Sequence, residues 1–158
     1  MRIVTPEYLN SNQSLFGGYL VCWIDEIAYM CARRFTGSSN CVTVQIDNLI
    51  FRVPLRLGDQ VNLCAKIVHV GTTSMEITVI VTKEDARTGE FVFATQANLT
   101  FVNLDENHRP LKVPRLNPQD SVSKEGRDAH IRIRVRKRLQ SFLERQENSK
   151  SLTSQQFS

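Results

Sequence analysis

The stretch NSNQSLFGGYLVCWIDEIAYMCARRF, residues 10–35, sets the architecture, because it joins a polar loop to a long apolar helix. The loop Asn10–Ser14 is rich in residue types that favour turns and helix N-caps. Gly17-Gly18 lets the backbone come close to a partner or take a positive φ. The residues that follow repeat with a helical period of about 100° per residue, which predicts a helix from Tyr19 to about Phe35.

This helix is apolar nearly all round, since Val21, Tyr29 and Ala32 lie opposite its main apolar stripe. Such a helix is typical of a protein core, and no run approaches the roughly 18 uninterrupted apolar residues of a membrane span. We therefore expect a buried helix and no membrane contact. Glu26, Met30 and Arg33 form the only narrow strip suited to water, and the stripe consists of Leu20, Ile24, Ile27, Ala28, Cys31 and Phe35.

Asp25 is the acidic residue of interest on this helix. It lies two turns after Gly18, among Val21, Tyr29 and Ala32. A carboxylate beside such neighbours needs a partner or a function. A plain structural reading, a surface acid beside Glu26 or a cap for a neighbouring loop, stays open.

Four strand-like runs follow the turn at residues 36–40. Their alternation and the short turns between them predict a meander of antiparallel strands. A change of parity predicts a bulge near Asp47–Asn48, and one face of the last run carries Phe91, Phe93, Ala97, Leu99 and Phe101. The economical fold is α+β, a curved antiparallel sheet wrapped round the helix, with edge strands suited to dimerisation. The runs are Cys41–Val53, Gln60–Val70, Met75–Lys83 and Phe91–Leu104.

Composition points to a protein of a reducing compartment. The 158 residues suffice for one ordinary domain with a core. The four cysteines match no zinc spacing, so we expect reduced core residues. The first ten residues contain no basic stretch followed by an apolar run, so we expect no signal peptide and a cytoplasmic location.

The net charge of +4 belongs to the C-terminal part. Residues 1–117 contain 11 basic and 11 acidic residues, whereas 118–158 contain 9 and 5. We assign 1–117 to one domain and 118–158 to a basic extension, helical over 120–147 with a disordered end. A solvated or subunit-facing helix explains this charge without a nucleic-acid partner, which we do not expect. The cations are Arg127, Arg132, Arg134, Arg136, Lys137 and Arg138.

The chemistry that the sequence allows is narrow. The helix start at Gly17-Gly18 has free N–H groups that can hold a developing oxyanion. No nucleophile motif is present, and His69, His108 and His130 do not pair at metal spacing, so we expect no metal and no cofactor. The simplest enzymatic scheme is attack by water with Asp25 as general base.

Several motifs resemble the hotdog-fold acyl-CoA thioesterases, in the bacterial branch related to the brain and brown-fat acyl-CoA hydrolases. The resemblance covers about residues 7–116 and implies a long helix wrapped by an antiparallel sheet. It rests on Phe16-Gly17-Gly18-Tyr19-Leu20-Val21-Cys22-Trp23-Ile24-Asp25-Glu26, on Val42–Asp47 with Phe51 and Pro54, on Gly58-Asp59, on Gly71–Met75 and on Phe101–Asp105.

The resemblance implies hydrolysis of an acyl-CoA thioester to a free acid and CoA. Asp25 would be the general base and the Gly17 or Gly18 amide would bind the thioester carbonyl, with the site formed between two protomers. CoA would enter only as part of the substrate, and the protein would be a homodimer, assembled as a trimer of dimers. Ser14 would assist catalysis, and substrate-binding positions would be Asn12, Phe16, Thr43, Asp47, Gly71, Thr72, Thr73 and Ser74.

Gln13 and Ser14 depart from the family, which often has Gly followed by Asn or Asp there. The departure and the basic tail keep a second hypothesis open. In that hypothesis the chain is a non-catalytic acyl-CoA sensor whose tail contacts a partner or nucleic acid.

Overall fold

Helix α1, Gly17–Thr36, packs against one face of a curled five-stranded antiparallel sheet. A computed structural model of the protein describes residues 1–47, 49–84 and 88–116. The strands are β1 (Arg2–Ile3), β2 (Cys41–Asp47), β3 (Gln60–Val70), β4 (Ser74–Glu84) and β5 (Phe91–Asn103). Their order in the sheet is β1-β3-β4-β5-β2, and a 3₁₀ helix, Pro6–Tyr8, follows β1. This confirms the α+β architecture expected from the sequence.

The core lies between α1 and the concave side of the sheet. Ile24, Ala28 and Ala32 of the helix are completely buried, and so are alternate residues of the central strand β4. Both edges of β4 are paired, with β3 and β5, and its apolar face is covered by the helix. The predicted apolar face of β4 is thus confirmed: it comprises Met75, Ile77, Val79 and Val81.

The helix extends slightly beyond its predicted limits, and Gly37 ends it in the left-handed conformation at φ 68°. The expectation of burial nearly all round is wrong within one chain, because the sheet covers only one side. Tyr19, Cys22 and Met30 are exposed. Glu26, on the same side, pairs with Arg2, which anchors the N-terminal strand to the helix.

Strand β2 is shorter than predicted, and its bulge lies elsewhere. It ends at Asp47, and the register shift falls between Thr43 and Gln45 rather than near Asp47–Asn48. The later part of the predicted strand touches β5 at isolated points instead of forming a ladder. The backbone carbonyl of Ile50 accepts a hydrogen bond from the Thr95 hydroxyl at 2.8 Å, and the Arg52 N–H donates to the Ala94 carbonyl at 3.1 Å.

A second bulge changes the faces of β5. Val81 pairs with Thr95, whereas the next residue, Thr82, pairs with Phe93, so Ala94 is the extra residue. Ala97, Leu99 and Phe101 face the core as predicted. The prediction is wrong for Phe91 and Phe93, because one extra residue moves every side chain before it to the other face.

The cysteines divide into two classes. Cys41 is buried and Cys31 is half-buried, but Cys22 and Cys64 are exposed, which corrects the expectation of four core residues. Cys22 lies on the uncovered side of α1, and Cys64 lies opposite Ile80, on the face of the sheet away from the helix. Burial raises the pKa of the Cys31 thiol above its ordinary value.

Predictions for the C-terminal part fall outside the described residues. These are the extension at 118–158, its helix and its cluster of cations. Within the part of the chain that the structure describes, no helix is long and apolar enough to cross a membrane.

Alkylation should separate the two classes of cysteine. We expect iodoacetamide at mildly alkaline pH to modify Cys64 faster than Cys31, because the thiolate is the reactive form and burial opposes its formation. Peptide mass spectrometry over a time course measures both rates in one sample. Equal rates in the native protein would contradict the burial of Cys31, and the urea-unfolded protein supplies the control in which the difference disappears.

Candidate active site

Asp25 is fixed by a hydrogen bond from the neighbouring strand. Its side chain is half-buried on α1, and the Thr43 hydroxyl donates to Oδ1 at 2.7 Å. Thr43 pairs with Phe101 on the core-facing side of β2, immediately before the bulge, which turns its side chain toward the helix. Among the described residues no cation pairs with Asp25. The carboxylate is therefore oriented but not neutralised, and Oδ2 is left for another donor.

The start of α1 presents two uncommitted amides. No side chain caps the helix, whose N-cap residue is Phe16. The carbonyl of Phe16 accepts from the amides of Tyr19 and Leu20, but within the described ranges no acceptor contacts the Gly17 or Gly18 N–H. These two donors, at the positive end of the helix dipole, suit an anionic or carbonyl oxygen.

Asn10 organises the loop that leads into the helix. Its side-chain Oδ1 accepts from the Asn12 N–H at 2.9 Å and from both the N–H and the hydroxyl of Ser14 at 3.2 Å. Backbone N–H groups can only donate, so these contacts identify Oδ1 as the acceptor atom. Among the described residues, no acceptor contacts the Asn10 Nδ2 group. The Ser14 hydroxyl, which is predicted to act in catalysis, donates to Asn10 Oδ1.

Gln13, which departs from the family pattern, has an unusual backbone conformation. Its φ is 56°, in the left-handed region that favours glycine. The loop still closes, since the Gln13 N–H donates to the Asn10 carbonyl at 3.1 Å. The glycine that the family resemblance leads one to expect at this position would adopt this φ freely, whereas Gln13 adopts it with some strain.

Two aromatic rings flank the paired glycines. A Cβ on Gly17 would lie 3.4 Å from Cε2 and Cζ of Phe51, and a Cβ on Gly18 would lie 2.6 Å from Cε1 of Phe16. Phe16 continues into an edge-to-face series through Tyr19 and Tyr8 to the buried Trp23. A side chain on Gly18 would therefore displace the Phe16 ring, whereas a Cβ on Gly17 would be in ordinary van der Waals contact with Phe51.

The other predicted positions are spread over the molecule. Asn12 is exposed and contributes only its backbone N–H to the loop. Asp47 lies at the exposed end of β2, where both its oxygens accept from Gln45. The Gly71–Ser74 turn is closed by a 2.9 Å backbone bond and packs beside Asn103, near the last turn of α1. The 20-residue helix separates it from Gly17 by about 30 Å.

A single chain therefore forms two partial groups. One contains Asp25 and Thr43, and the other contains Asn10, Ser14, the glycines and the aromatic rings. Asp25 lies eight residues along the helix from Gly17, about 12 Å away. Over the described ranges no cluster of side chains is suited to a metal ion.

Sequence reasoning missed the roles of Asn10 and Phe51. Asn10 carries a readable signal, because asparagine side chains commonly bond the backbone two residues later and thereby shape a turn. The role of Phe51 had no such signal. It depends on a segment that leaves its strand and returns toward the helix start.

Comparisons with known proteins agree on one family. A model of the thioesterase superfamily matches residues 12–90. A Bacillus subtilis protein described as an uncharacterized acyl-CoA thioester hydrolase is 41% identical over 116 residues, covering 73% of this chain and 67% of that protein.

Solved structures give the same answer. An acyl-CoA hydrolase from Staphylococcus aureus, in complex with butyryl coenzyme A, coenzyme A and coenzyme A disulfide, has a TM-score of 0.73 at 33% identity, covering 96% of this chain and 92% of that chain. A hexameric thioesterase from Yersinia pestis has a TM-score of 0.66 at 27% identity, covering 72% and 92%. Other structures of the S. aureus enzyme carry alanine in place of an asparagine or of an aspartate fifteen positions after it.

The Asn10 loop provides a stability test. Asn10→Ala removes the acceptor of three hydrogen bonds, and we expect it to lower the free energy of unfolding by about 1–2 kcal/mol. Asn12→Ala removes a neighbouring exposed amide and should change stability by less than about 0.5 kcal/mol. Urea unfolding at one fixed protein concentration measures both variants. Equal effects would show that the Asn10 side chain does not hold the loop.

Proposed function

The chain belongs to the thioesterase superfamily and is an acyl-CoA thioesterase, and we propose that it hydrolyses its substrate by direct water attack assisted by Asp25. The observation that carries this proposal is the Asp25 carboxylate, held by Thr43 at 2.7 Å and lacking an ion-pair partner among the described residues. An oriented and unneutralised carboxylate suits a general base.

The reaction proceeds through a tetrahedral intermediate. Asp25 accepts a proton from water as the water oxygen bonds to the thioester carbonyl carbon. The carbonyl oxygen becomes an oxyanion, which the Gly17 and Gly18 amides stabilise. Collapse re-forms the carbonyl and breaks the carbon–sulfur bond. CoA leaves as the thiolate and takes up the proton, and the acyl group leaves as the free acid.

Thr43 is the positioning residue in this scheme. Its hydroxyl donates to Oδ1 of Asp25, so Oδ2 faces the attacking water. Thr43 was predicted to bind substrate, and we propose that it also acts through Asp25.

Asn10 supplies a second polar group to the reacting centre. Because Oδ1 is held by loop donors, Nδ2 is the atom left to contact the water or the substrate carbonyl. Asn10 and Asp25 are 15 positions apart in the sequence, the same spacing as between the asparagine and the aspartate replaced in the S. aureus enzyme. This equal spacing supports a paired role for the two residues.

The site is completed across a subunit interface. Asp25 and Gly17 lie about 12 Å apart along one helix, too far to act on one carbonyl group. We therefore assign Asp25 of one protomer and the Gly17-Gly18 amides of its partner to the same substrate. The Gly71–Ser74 turn and Asp47, which lie apart from both groups, keep their proposed role in substrate binding.

Strand β2 is the proposed dimer edge. It pairs with β5 on one side only, and no other described strand pairs with it. Val42, Val44 and Ile46 on this strand are 42%, 55% and 37% exposed. Pairing of two such edges buries these side chains and satisfies the open backbone groups. Such dimers would assemble into a hexamer, the state of the Y. pestis thioesterase.

A reducing compartment, the cytoplasm, fits the free cysteines, two of which are exposed. Water and a carboxylate suffice for the reaction, so CoA enters only within the substrate. The basic extension is assigned no role in hydrolysis and no nucleic-acid partner.

Replacement of Asp25 tests the mechanism. Asp25→Asn keeps the side-chain shape but removes the base, and we expect thiol release from acyl-CoA to fall about a hundredfold or more. The matched control is Glu26→Gln, which neutralises the adjacent exposed acid and should leave the rate within about twofold of the wild type. Thiol release is followed with a chromogenic disulfide reagent.

Two outcomes would reject the proposal. If Asp25→Asn is as active as the wild type, another group is the base. If the wild type binds acyl-CoA but releases no thiol, the chain is a sensor and not a hydrolase.

A charge at the β2 edge tests the assembly. Val44→Lys places a cation where two strands should meet, so we expect a smaller oligomer by light scattering and a loss of thiol release of about tenfold or more, because a buried unpaired charge disfavours the contact. Leu57→Lys places the same charge on an exposed apolar residue of a turn and should change neither quantity. An unchanged oligomer with Val44→Lys would exclude this edge.

A further inference from the structure

Phe51 is held in place by the backbone on both sides of it. The carbonyl of Ile50 accepts from the Thr95 hydroxyl at 2.8 Å, and the Arg52 N–H donates to the Ala94 carbonyl at 3.1 Å. Thr95 is completely buried, and its hydroxyl lies closer to the Ile50 carbonyl than to its other acceptor, the Gln96 carbonyl at 3.5 Å. The bulge at Ala94 thus provides two anchors, and the side chain of Phe51 extends between them toward the helix start.

The ring of Phe51 borders the proposed oxyanion site. Its Cε2 and Cζ atoms lie 3.4 Å from the position that a Cβ on Gly17 would occupy. The ring is therefore next to the residue that carries the free amide. The side chain remains 52% exposed, although it is a large apolar group in a fixed position. An apolar surface held beside a polar reaction site fits the apolar part of a ligand.

We propose that Phe51 is a specificity-determining residue that contacts the first carbons of the acyl chain. This inference rests on the proposed function. A carbonyl oxygen bound to the Gly17 amide places its carbon, and the acyl carbons attached to it, beside the ring. The acyl chain is the apolar part of the substrate and gains from burial against the ring, whereas the CoA portion is polar. An acetyl group is too short to make the full contact with the Phe51 ring, whereas longer acyl chains make it.

The test is a chain-length profile. Values of kcat/KM are measured for acetyl-, butyryl-, hexanoyl- and octanoyl-CoA with the wild type, Phe51→Ala and Phe51→Leu. We expect the octanoyl-to-acetyl ratio to fall about tenfold in Phe51→Ala, the size of effect that a lost apolar contact produces. Phe51→Leu retains part of the apolar surface and should give an intermediate ratio. This variant provides the test if Phe51→Ala does not fold.

Phe91→Ala is the matched control. Phe91 is also a half-exposed phenylalanine, 53% accessible, but it lies at the start of β5, opposite Glu84. Its removal should leave the ratio within about twofold of the wild type. A similar change in Phe91→Ala and Phe51→Ala would indicate a general effect of lost apolar surface and would overturn the proposal.

The failures of the two proposals are distinguishable. If the wild type releases no thiol from any acyl-CoA, the proposed function fails. If the wild type is active but Phe51→Ala and Phe51→Leu lower kcat/KM equally for all four substrates, only the specificity role is rejected, and Phe51 acts through loop structure or CoA.

Discussion

The contact between α1 and β4 is the constraint on which the rest of the structure depends. Ala28 and Ala32 give the helix a smooth surface, so that it packs directly on the apolar face of the central strand. This packing fixes the rotation of the helix. Asp25 is consequently held at the side, within reach of Thr43 on the outer strand β2, and not in the middle of the core. The placement of the proposed base is a consequence of core packing.

Irregularities in two strands then adapt this regular core to a function. The bulge after Thr43 lets β2 direct one hydroxyl to Asp25 while its later residues change face. The bulge at Ala94 frees a carbonyl and a buried hydroxyl to hold the segment around Phe51. The first irregularity lies in the pair formed by β2 and β5, and the second lies in the pair formed by β4 and β5, which is regular from Ser74 to Val81. Stability and chemistry thus use different parts of the sheet.

Sequence patterns predicted the regular elements well and the irregular ones poorly. The limits of β3 and the apolar face of β4 followed from alternation, and the helix limits followed from its period and Gly37. The bulge in β2 was misplaced and the bulge in β5 was missed, because a single extra residue leaves the composition of a strand unchanged, and Phe91 and Phe93 were therefore assigned to the wrong face. Asp25 was recognised from its apolar neighbours, but its bond to Thr43 is a tertiary contact between elements 18 residues apart. The same limit applies to Phe51 and Gly17.

The exposed edge of β2 affects how this protein reaches its active form. A newly folded single chain carries three exposed apolar side chains on an open strand, a surface that also favours aggregation. The rate of assembly depends on collisions of two chains, and the rate of aggregation rises even more steeply with chain concentration. The two processes therefore compete where many chains are synthesised close together. The unfolding midpoint of an assembly held by such edges rises with protein concentration. Under the proposed assembly, dilution would remove catalytic capacity by separating the two halves of each site, with the fold of each chain still intact.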